Sequence, residues 1–434
     1  MQVRVGVVLT LMFATAKSRL IKYFFFGNSI TNDGYLRLAY LLGRFLVFLP
    51  LSLCATLVLG IYSLFRPVKI FMLRCERSKI SFIVEDLEVA LRIEAHKEKT
   101  TGVRRPFIFA VLDCESPNRA FTSMYGRVVP FLDDDRPFAR GVIRYALPIF
   151  RLQRQYLPNK QIDRLKIWAR EQPVLQFTES EVLAGKSLQA ELLGDDSKPF
   201  VCIGIAERIY YEQKNATEHE AESHLDLYSC MPEWKNYVAC TEALDEHSIK
   251  TVRMGQFVSN KLADTTESSI IDYASTSRSE FGDVWLLANC KFVLVGATGL
   301  WWIASAFNKP TVLADSYTLN ASSYGKSDLN ILQLAWSRAD QKLMPFEWII
   351  AHNEWAQRRA LIQENFEIVK NAAEEITEVV LEMNQRIDGT WVETDEDIEL
   401  QERFRELRKA VPQWRVQQGV RIGAAFLRRY KHLL

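Results

Sequence analysis

Arginines and glycines gather at the ends of predicted strands in the second half of this 434-residue chain. Two runs of strand type, Ile249–Arg253 and Lys291–Val295, end at Met254-Gly255 and at the turn Gly296-Ala297-Thr298-Gly299. Guanidinium groups pair with phosphate oxygens, and free N–H groups at a glycine-rich turn before a helix attract anions. We therefore predict an anion site formed by Arg253, Gly255, Arg278, Ser279, Glu280, Gly296, Thr298 and Gly299.

Each of these residues also has an ordinary structural interpretation. Arg253 could form a salt bridge, and Ser279 could cap the helix that follows it. Thr298 and Gly299 could belong to a plain turn between a strand and a helix, and Glu280 could favour a helix amino terminus or bind ribose hydroxyls. These alternatives stay open at the level of sequence.

Three acids follow predicted strands and could accept the proton of an attacking hydroxyl: Glu207, Asp113 and Glu115. Each is also a common turn residue, so a structural role is open for each. No Asp-x-Asp run lies near a strand end in the second half of the chain. We therefore predict neutralisation of a leaving phosphate by arginine, with no metal and no other cofactor.

The elements that must hold these residues alternate between strands and helices. Predicted helices over Asp283–Asn289 and Leu300–Phe307 flank the strand Lys291–Val295, and a further strand begins at Thr311–Ala314. Such alternation predicts an α/β fold with a parallel sheet covered on both faces. In these sheets the ligand lies beyond the carboxyl ends of the strands, where the arginines and glycines fall.

Further elements are predicted along the rest of the chain. The strands are Val68–Leu73, Phe107–Leu112, Arg127–Phe131 and Phe200–Ile205, and the helices are Phe82–His96, Pro137–Leu147, Arg358–Arg386 and Asp395–Lys409. A last basic helix is predicted within Gln413–Leu434. We expect it to dock against the amino-terminal domain, with binding to anionic lipid as the alternative.

Composition excludes several classes of protein. The net charge is +1 and no basic stripe is interleaved with aromatics, so no nucleic-acid partner is predicted. The seven cysteines are scattered without C-x-x-C spacing, which favours a reducing compartment over a disulfide framework or a zinc site.

The chain is uncharged from Phe45 to Phe65, which is long enough to cross a bilayer, where about 20 apolar residues suffice. Basic residues lie on both sides, with more after the run, and Pro50 lies within it. A full span with a cytoplasmic body, a bent segment that enters and leaves one face, and a buried core helix are the alternatives.

Taken in order, many short motifs resemble a bacterial family of surface-carbohydrate glycosyltransferases that is distantly similar to nodulation and protein O-fucosyltransferases. The strongest are Arg253-Met254-Gly255, Ile270-Ile271-Asp272-Tyr273-Ala274 and Arg278-Ser279-Glu280-Phe281 with Asp283. Weaker matches include Ser116-Pro117-Asn118, Phe200-Val201-Cys202-Ile203, Ala288-Asn289-Cys290-Lys291-Phe292, Phe307-Asn308-Lys309-Pro310 and Arg421–Arg429.

The resemblance implies the GT-B architecture, in which two Rossmann-like domains face each other. On this basis residues 1–66 are a membrane-associated segment, 67–190 the acceptor domain, 198–350 the donor domain and 351–434 a helical extension that packs on the body. The implied activity is transfer of a sugar from a nucleotide sugar to a cell-surface glycan or a lipid-linked acceptor. The implied location is the cytoplasmic face of the bacterial inner membrane.

The chain departs from the family pattern at two positions. A usual His-x-Arg-Asp arrangement is replaced by Gly204-Ile205-Ala206-Glu207, and Arg-Ile-Gly-His by Lys79-Ile80-Ser81-Phe82. Arg208 is the nearest arginine to the first position and joins the predicted anion site. Loss of both histidines leaves open a catalytically degraded relative that acts by binding or assembly. A different nucleotide-using enzyme on a Rossmann-type fold is a third hypothesis.

Overall fold

The computed structural model describes residues 34–73, 80–81, 83–112, 115–133, 135, 138–139, 142–143, 171–194, 198–209, 231–258, 270–296, 298–316, 327–352, 365–409 and 421–434. The chain divides into two compact units. One consists of Met1–Val68 and Arg136–Arg151, and the other of Lys69–Asp135 and Leu152–Leu434.

Among the described residues of the smaller unit is a long helix, α1 (Gly34–Ser63), with Pro50 inside it. The Ser52 hydroxyl donates to the Val142 carbonyl over 2.7 Å, and the Phe48 ring lies 5.5 Å from that of Phe138. In the part of the chain that the structure describes, no helix combines the length and apolarity needed to cross a membrane. The membrane segment therefore stays a prediction.

The larger unit begins with a three-stranded sheet, here called the amino-terminal sheet. Its order is β1 (Val68–Leu73), β2 (Phe107–Leu112) and β3 (Phe131–Leu132), with β2 and β3 parallel. A π-helical turn (Ile83–Glu88) runs into α2 (Val89–Thr101), where one helix was predicted over Phe82–His96.

Helix α3 (Arg119–Val128) corrects the strand predicted over Arg127–Phe131. The Asn118 side chain accepts from the Phe121 N–H and so caps the helix at its start. Phe121, Met124 and Tyr125 all face the core at helical spacing, so the segment is amphipathic as a helix, and Arg127 lies in its last turn. Of the predicted strand, Phe131 pairs with β2, and Leu132 continues this pairing.

A seven-stranded parallel sheet forms the centre of the larger unit and confirms the predicted α/β class. Its strands are β4 (Phe200–Ile205), β5 (Lys250–Met254), β6 (Ile270–Ile271), β7 (Val293–Gly296), β8 (Thr311–Ser316), β9 (Leu329–Leu332) and β13 (Arg421–Ile422). Their order across the sheet is β13-β9-β8-β7-β4-β5-β6. From β4 the chain adds β5 and β6 on one side of the sheet. From β7 it adds β8, β9 and β13 on the other side.

Helices cover both faces of this sheet, because its strands carry apolar side chains on both sides. Residues Val201 and Ile203 of β4 pack with α5 (Trp234–Glu246) and α10 (Ala373–Asp388) on one face. Phe200 and Cys202 point into the opposite core, which contains α7 (Glu280–Asn289) and α8 (Leu300–Ala306). Helix α4 (Glu179–Leu193) and the short α6 (Tyr273–Thr276) join that second layer.

A small antiparallel sheet lies later in the chain and corrects a second prediction. Its order is β11 (Lys342–Leu343), β10 (Leu334–Ser337) and β12 (Phe366–Val369), and α9 (Phe346–Ala351) lies between β11 and β12 in sequence. The pattern over Arg358–Arg386 predicted a helix throughout, whereas Phe366–Val369 is a strand. Helix α10 starts later, where the Glu375 carboxylate accepts from the Ala372 N–H over 2.9 Å. Helix α11 (Asp395–Lys409) matches its predicted bounds.

The carboxyl terminus forms β13, α12 (Ala424–Arg429) and a 3-10 turn (Lys431–Leu433). Phe426 and Leu427 lie in the same core as α10 and α11, and β13 pairs with β9. Arg428 pairs with Asp397, and Arg429 lies 3.1 Å from Glu378. The terminus therefore docks on the seven-stranded sheet and its helices, which differs from the predicted docking against the amino-terminal domain.

Candidate functional site

Strands β4 and β7 are neighbours at the point where the strand order reverses. Residues Ile205 and Gly296 are paired across them, and the Ala206 N–H donates to the Gly296 carbonyl over 3.1 Å. A crevice opens beyond the carboxyl ends of strands at such a reversal, and ligands of parallel α/β sheets bind there. Glu207 and Arg208 follow β4, and Thr298 and Gly299 follow β7, so the fold brings these separate parts of the predicted site to one edge.

Arg253 lies one strand away and is enclosed by acidic groups. Its Nη2 donates to Glu207 Oε1 over 2.7 Å, and its Nη1 lies 3.6 Å from Asp272 Oδ2. The Trp234 ring covers the guanidinium at 4.9 Å, and only 3% of the Arg253 side chain is exposed. The two carboxylates balance the charge of this cation, so a phosphate that approaches it would compete with them.

The side chains of Arg278, Ser279 and Glu280 make hydrogen bonds within the chain at the start of α7. The Ser279 hydroxyl accepts from the Gly282 N–H over 3.0 Å, which is a helix cap. Arg278 Nη2 donates to Asp283 Oδ2 over 2.7 Å, and the Tyr273 hydroxyl lies 3.3 Å from the same carboxyl group. Burial raises the pKa of Asp283 to about 6, with Arg278 acting in the opposite direction.

Loops from the amino-terminal sheet meet this edge at two places. The Asn118 amide donates to the Glu280 carbonyl over 2.9 Å, and the Glu280 carboxylate accepts from the Arg119 N–H over 2.7 Å. Ile80, beyond the end of β1, lies 3.4 Å from the position of a Cβ at Gly299. Glu115 is exposed in the loop that carries Asn118, and Asp113 lies outside the described residues.

The glycines of the predicted anion site differ in whether a side chain would fit at their positions. A Cβ at Gly296 would overlap the Tyr237 hydroxyl and lie 2.8 Å from Pro232 Cγ. One at Gly255 would lie 2.8 Å from Val258, whereas Gly299 has room for a methyl group. Gly296 is therefore required by close packing at the carboxyl end of β7.

A buried polar cluster beside the reversal escaped sequence reasoning. Asp315, near the end of β8, has a φ of 49° and is 2% exposed. Its carboxylate accepts from the Tyr237 hydroxyl over 2.9 Å and from the Asn371 N–H over 2.8 Å, while the Asn371 side chain accepts from the Asp315 N–H. Burial raises the pKa of Asp315. An acid at the end of the apolar run Thr311–Ala314 was the available signal.

Among the described residues, no group of three or more His, Cys, Asp or Glu side chains could hold a metal ion. Metal-free chemistry stays a prediction.

No protein-family model and no curated protein matches the chain. Among solved structures, a glycosyl transferase of family 9 from Veillonella parvula has a TM-score of 0.42 and 8% identity, with 74% of this chain and 98% of that one covered. The iron-containing heptosyltransferase TibC in complex with ADP-D-beta-D-heptose has a TM-score of 0.37 and 12% identity over 75% of this chain and 79% of that one. An E. coli ADP-heptose heptosyltransferase II has a TM-score of 0.34 and 15% identity over 56% and 84%. Likenesses at this level assign neither a reaction nor a ligand to this chain.

Proposed function

We propose that the chain is a GT-B glycosyltransferase. It would move a sugar from a nucleotide sugar to a cell-surface glycan or a lipid-linked acceptor, at the carboxyl edge of the seven-stranded sheet. The observation that carries the proposal is the convergence of two sets of loops on that edge. Parallel α/β sheets bind nucleotides at reversals such as that between β4 and β7, and the loops that follow β1 and β2 reach this edge through Ile80 and Asn118.

In this proposal the donor lies at the reversal and the acceptor approaches from the amino-terminal sheet. The departing diphosphate needs neutralisation, which Arg208 and Arg253 would supply with backbone N–H groups after β7. A phosphate that binds Arg253 takes the place of the Glu207 carboxylate. The released carboxylate would then be available to accept the proton of the acceptor hydroxyl, with Glu115 and Asp113 as the other candidates.

A second candidate function is a degraded relative that binds or assembles without transferring sugar. The ion pairs of Arg253 and the capping role of Ser279 favour it, because both side chains have partners within the chain. The two missing family histidines favour it as well.

Membrane attachment at the cytoplasmic face of the inner membrane is part of the proposal. It is supported by exposed apolar side chains on and just after α1, among them Leu57, Val58, Ile61, Leu64 and Phe65. Large exposed apolar patches mark surfaces that bind lipid or protein.

Titration calorimetry with GDP, UDP and CMP, with and without a chelator, tests the proposal. We expect one nucleotide to bind equally well in both conditions. Arg253→Met should lose this binding, whereas the matched control Arg338→Met, in an exposed pair with Glu367, should keep it. Binding that disappears with the chelator would contradict neutralisation by arginine.

A hydrolysis assay with a panel of nucleotide sugars separates the two candidate functions. Slow release of free sugar in the absence of acceptor is expected of a transferase. Tight nucleotide binding without any release, with or without membrane extract as acceptor, would favour the degraded relative.

A further inference from the structure

A buried cation connects the amino-terminal sheet to the helices of the seven-stranded sheet. Arg92 of α2 has no exposed surface and donates from Nε to Glu88 Oε1 over 2.8 Å. Its Nη2 donates to the Ala306 carbonyl over 2.7 Å, and its Nη1 to Asn308 Oδ1 over 2.6 Å. The last two partners lie at the end of α8, so separating α2 from α8 would break both charge-assisted hydrogen bonds.

The backbone conformation of Asn308 suits this contact. Its φ of 57° is left-handed, a conformation that asparagine tolerates better than most residues. The Asn308 side chain also donates to the Glu171 carbonyl over 3.2 Å, and Arg92 approaches the same carbonyl at 3.4 Å. Three segments that are distant in sequence therefore share one hydrogen-bond network.

Aromatic packing extends the same junction. The Phe177 ring stacks on Phe307 at 5.3 Å and contacts Trp285 at 5.0 Å. A Cβ at Gly185 of α4 would overlap the Trp285 ring, so the helix backbone itself packs on that side chain. Apolar residues of β1, β2 and α2 belong to one core together with those of α7 and α8.

The junction is held at both ends. Arg92 binds the carboxyl end of α8, whereas Asn118 and Arg119 bind Glu280, the first residue of α7. In α/β sheets these two helix ends lie at opposite edges of the sheet, because each helix runs antiparallel to its strands. A rotation that opened one edge would therefore strain or break the contacts at the other.

We infer that the amino-terminal sheet and the seven-stranded sheet form one cooperative folding unit, so that neither sheet unfolds while the other stays folded. This goes beyond the proposed function, because it concerns the stability of the protein and holds whether or not a nucleotide binds.

Native-state hydrogen exchange of the full chain at increasing urea tests the inference without any ligand. We expect the amides of β2 and of β4 to exchange through one common opening, with equal protection and equal urea dependence. Amides of β2 that exchange through a smaller opening, while β4 stays protected, would overturn it.

Substitution sharpens the comparison. Arg92→Met removes the charge from a buried pair, and we expect it to lower protection in β2 and β4 by the same factor, roughly a hundredfold or more. The control Arg127→Met, whose side chain is partly exposed against Glu181, should change both little. If Arg92→Met does not fold, Glu280→Ala tests the other end of the junction. It should also lower protection in β2 and β4 by one common factor. A loss of protection confined to β2 in either variant would contradict the inference.

Discussion

The Glu207 carboxylate accepts a hydrogen bond of 2.7 Å from Arg253, although 46 positions separate the two residues. Glu207 follows β4, and Arg253 lies near the end of β5. The parallel pairing of these two strands brings the two side chains together. Sequence reasoning gave them separate roles, one as a general base and one as a phosphate contact. Their pairing means that these roles are coupled, because an anion that reaches Arg253 competes with Glu207.

The pair predicts unequal effects of substitution on stability. Arg253→Met leaves the carboxylates of Glu207 and Asp272 near each other with their shared cation gone, and we expect a loss of about 3–5 kcal/mol. Glu207→Gln keeps a hydrogen-bond acceptor and leaves Asp272 to balance the arginine, so a loss of about 1 kcal/mol is expected. Urea unfolding followed by circular dichroism measures both, and equal losses would contradict the shared arrangement.

Asp283 predicts a pH dependence of stability. Burial raises its pKa to about 6 from an ordinary 3.8, so the folded state binds this proton more tightly than the unfolded state. The contribution is therefore fully present below pH 3.8 and is lost as the pH rises through about 6. Asp283→Asn cannot titrate at this position. Between pH 4 and pH 7 its free energy of unfolding should therefore rise relative to that of the wild type by up to about 3 kcal/mol. Parallel curves of unfolding free energy against pH would show that Asp283 does not titrate in this way.

Several elements were predictable because local sequence determines them. The continuous apolar runs Val68–Leu73, Phe107–Leu112 and Phe200–Ile205 are strands at the predicted bounds. Arg127 and Phe366 were assigned to the wrong element type, because short segments fit both a helical and a strand pattern and tertiary pairing decides between them.

The candidate site was predictable only as a set of strand ends. Sequence placed Arg253, Glu207 and Gly296 at one edge of a sheet, and the structure has them there because parallel strands end together. It could not show that Arg253 meets Asp272, because that contact depends on the order of strands across the sheet. Tyr237 escaped notice for a similar reason, since its carboxylate partner lies 78 positions away.

Gly296, the last residue of β7, and Gly299, which follows it, predict opposite outcomes for the same substitution. Gly296→Ala should destabilise the protein by about 1–3 kcal/mol, because its methyl group meets Tyr237 and Pro232. Gly299→Ala serves as the control and should change stability little, since its nearest neighbour is 3.4 Å away at Ile80. Thermal unfolding compares them, and an equal tolerance of both would contradict the packing at Gly296.

Because the carboxyl terminus docks on the core, we predict that substitution of Phe426 strongly lowers the stability of the protein. The side chain is 2% exposed and packs with Tyr430 at 4.9 Å and Phe346 at 6.2 Å. Phe426→Asp removes this burial and adds a charge to the core, so a loss of about 4 kcal/mol or more is expected. Ile398→Asp on the exposed side of α11 is the control and should be nearly neutral. A stable Phe426→Asp variant that no longer binds anionic liposomes would favour the lipid interpretation.

Membrane attachment predicts that the exposed apolar side chains of α1 hold the protein on lipid. Leu57 and Ile61 are 68% and 62% exposed and lie one helical turn apart, so both belong to one face of the helix. Burying them in a bilayer stabilises binding by about 1.5–3 kcal/mol each, whereas aspartate there opposes burial. We therefore expect Leu57→Asp with Ile61→Asp to reduce flotation of the full chain with anionic phospholipid vesicles by tenfold or more. Val392→Asp, at an apolar position of the larger unit that is 81% exposed, controls for added charge. Undiminished flotation of the double variant, at unchanged thermal stability, would exclude this face as the lipid contact.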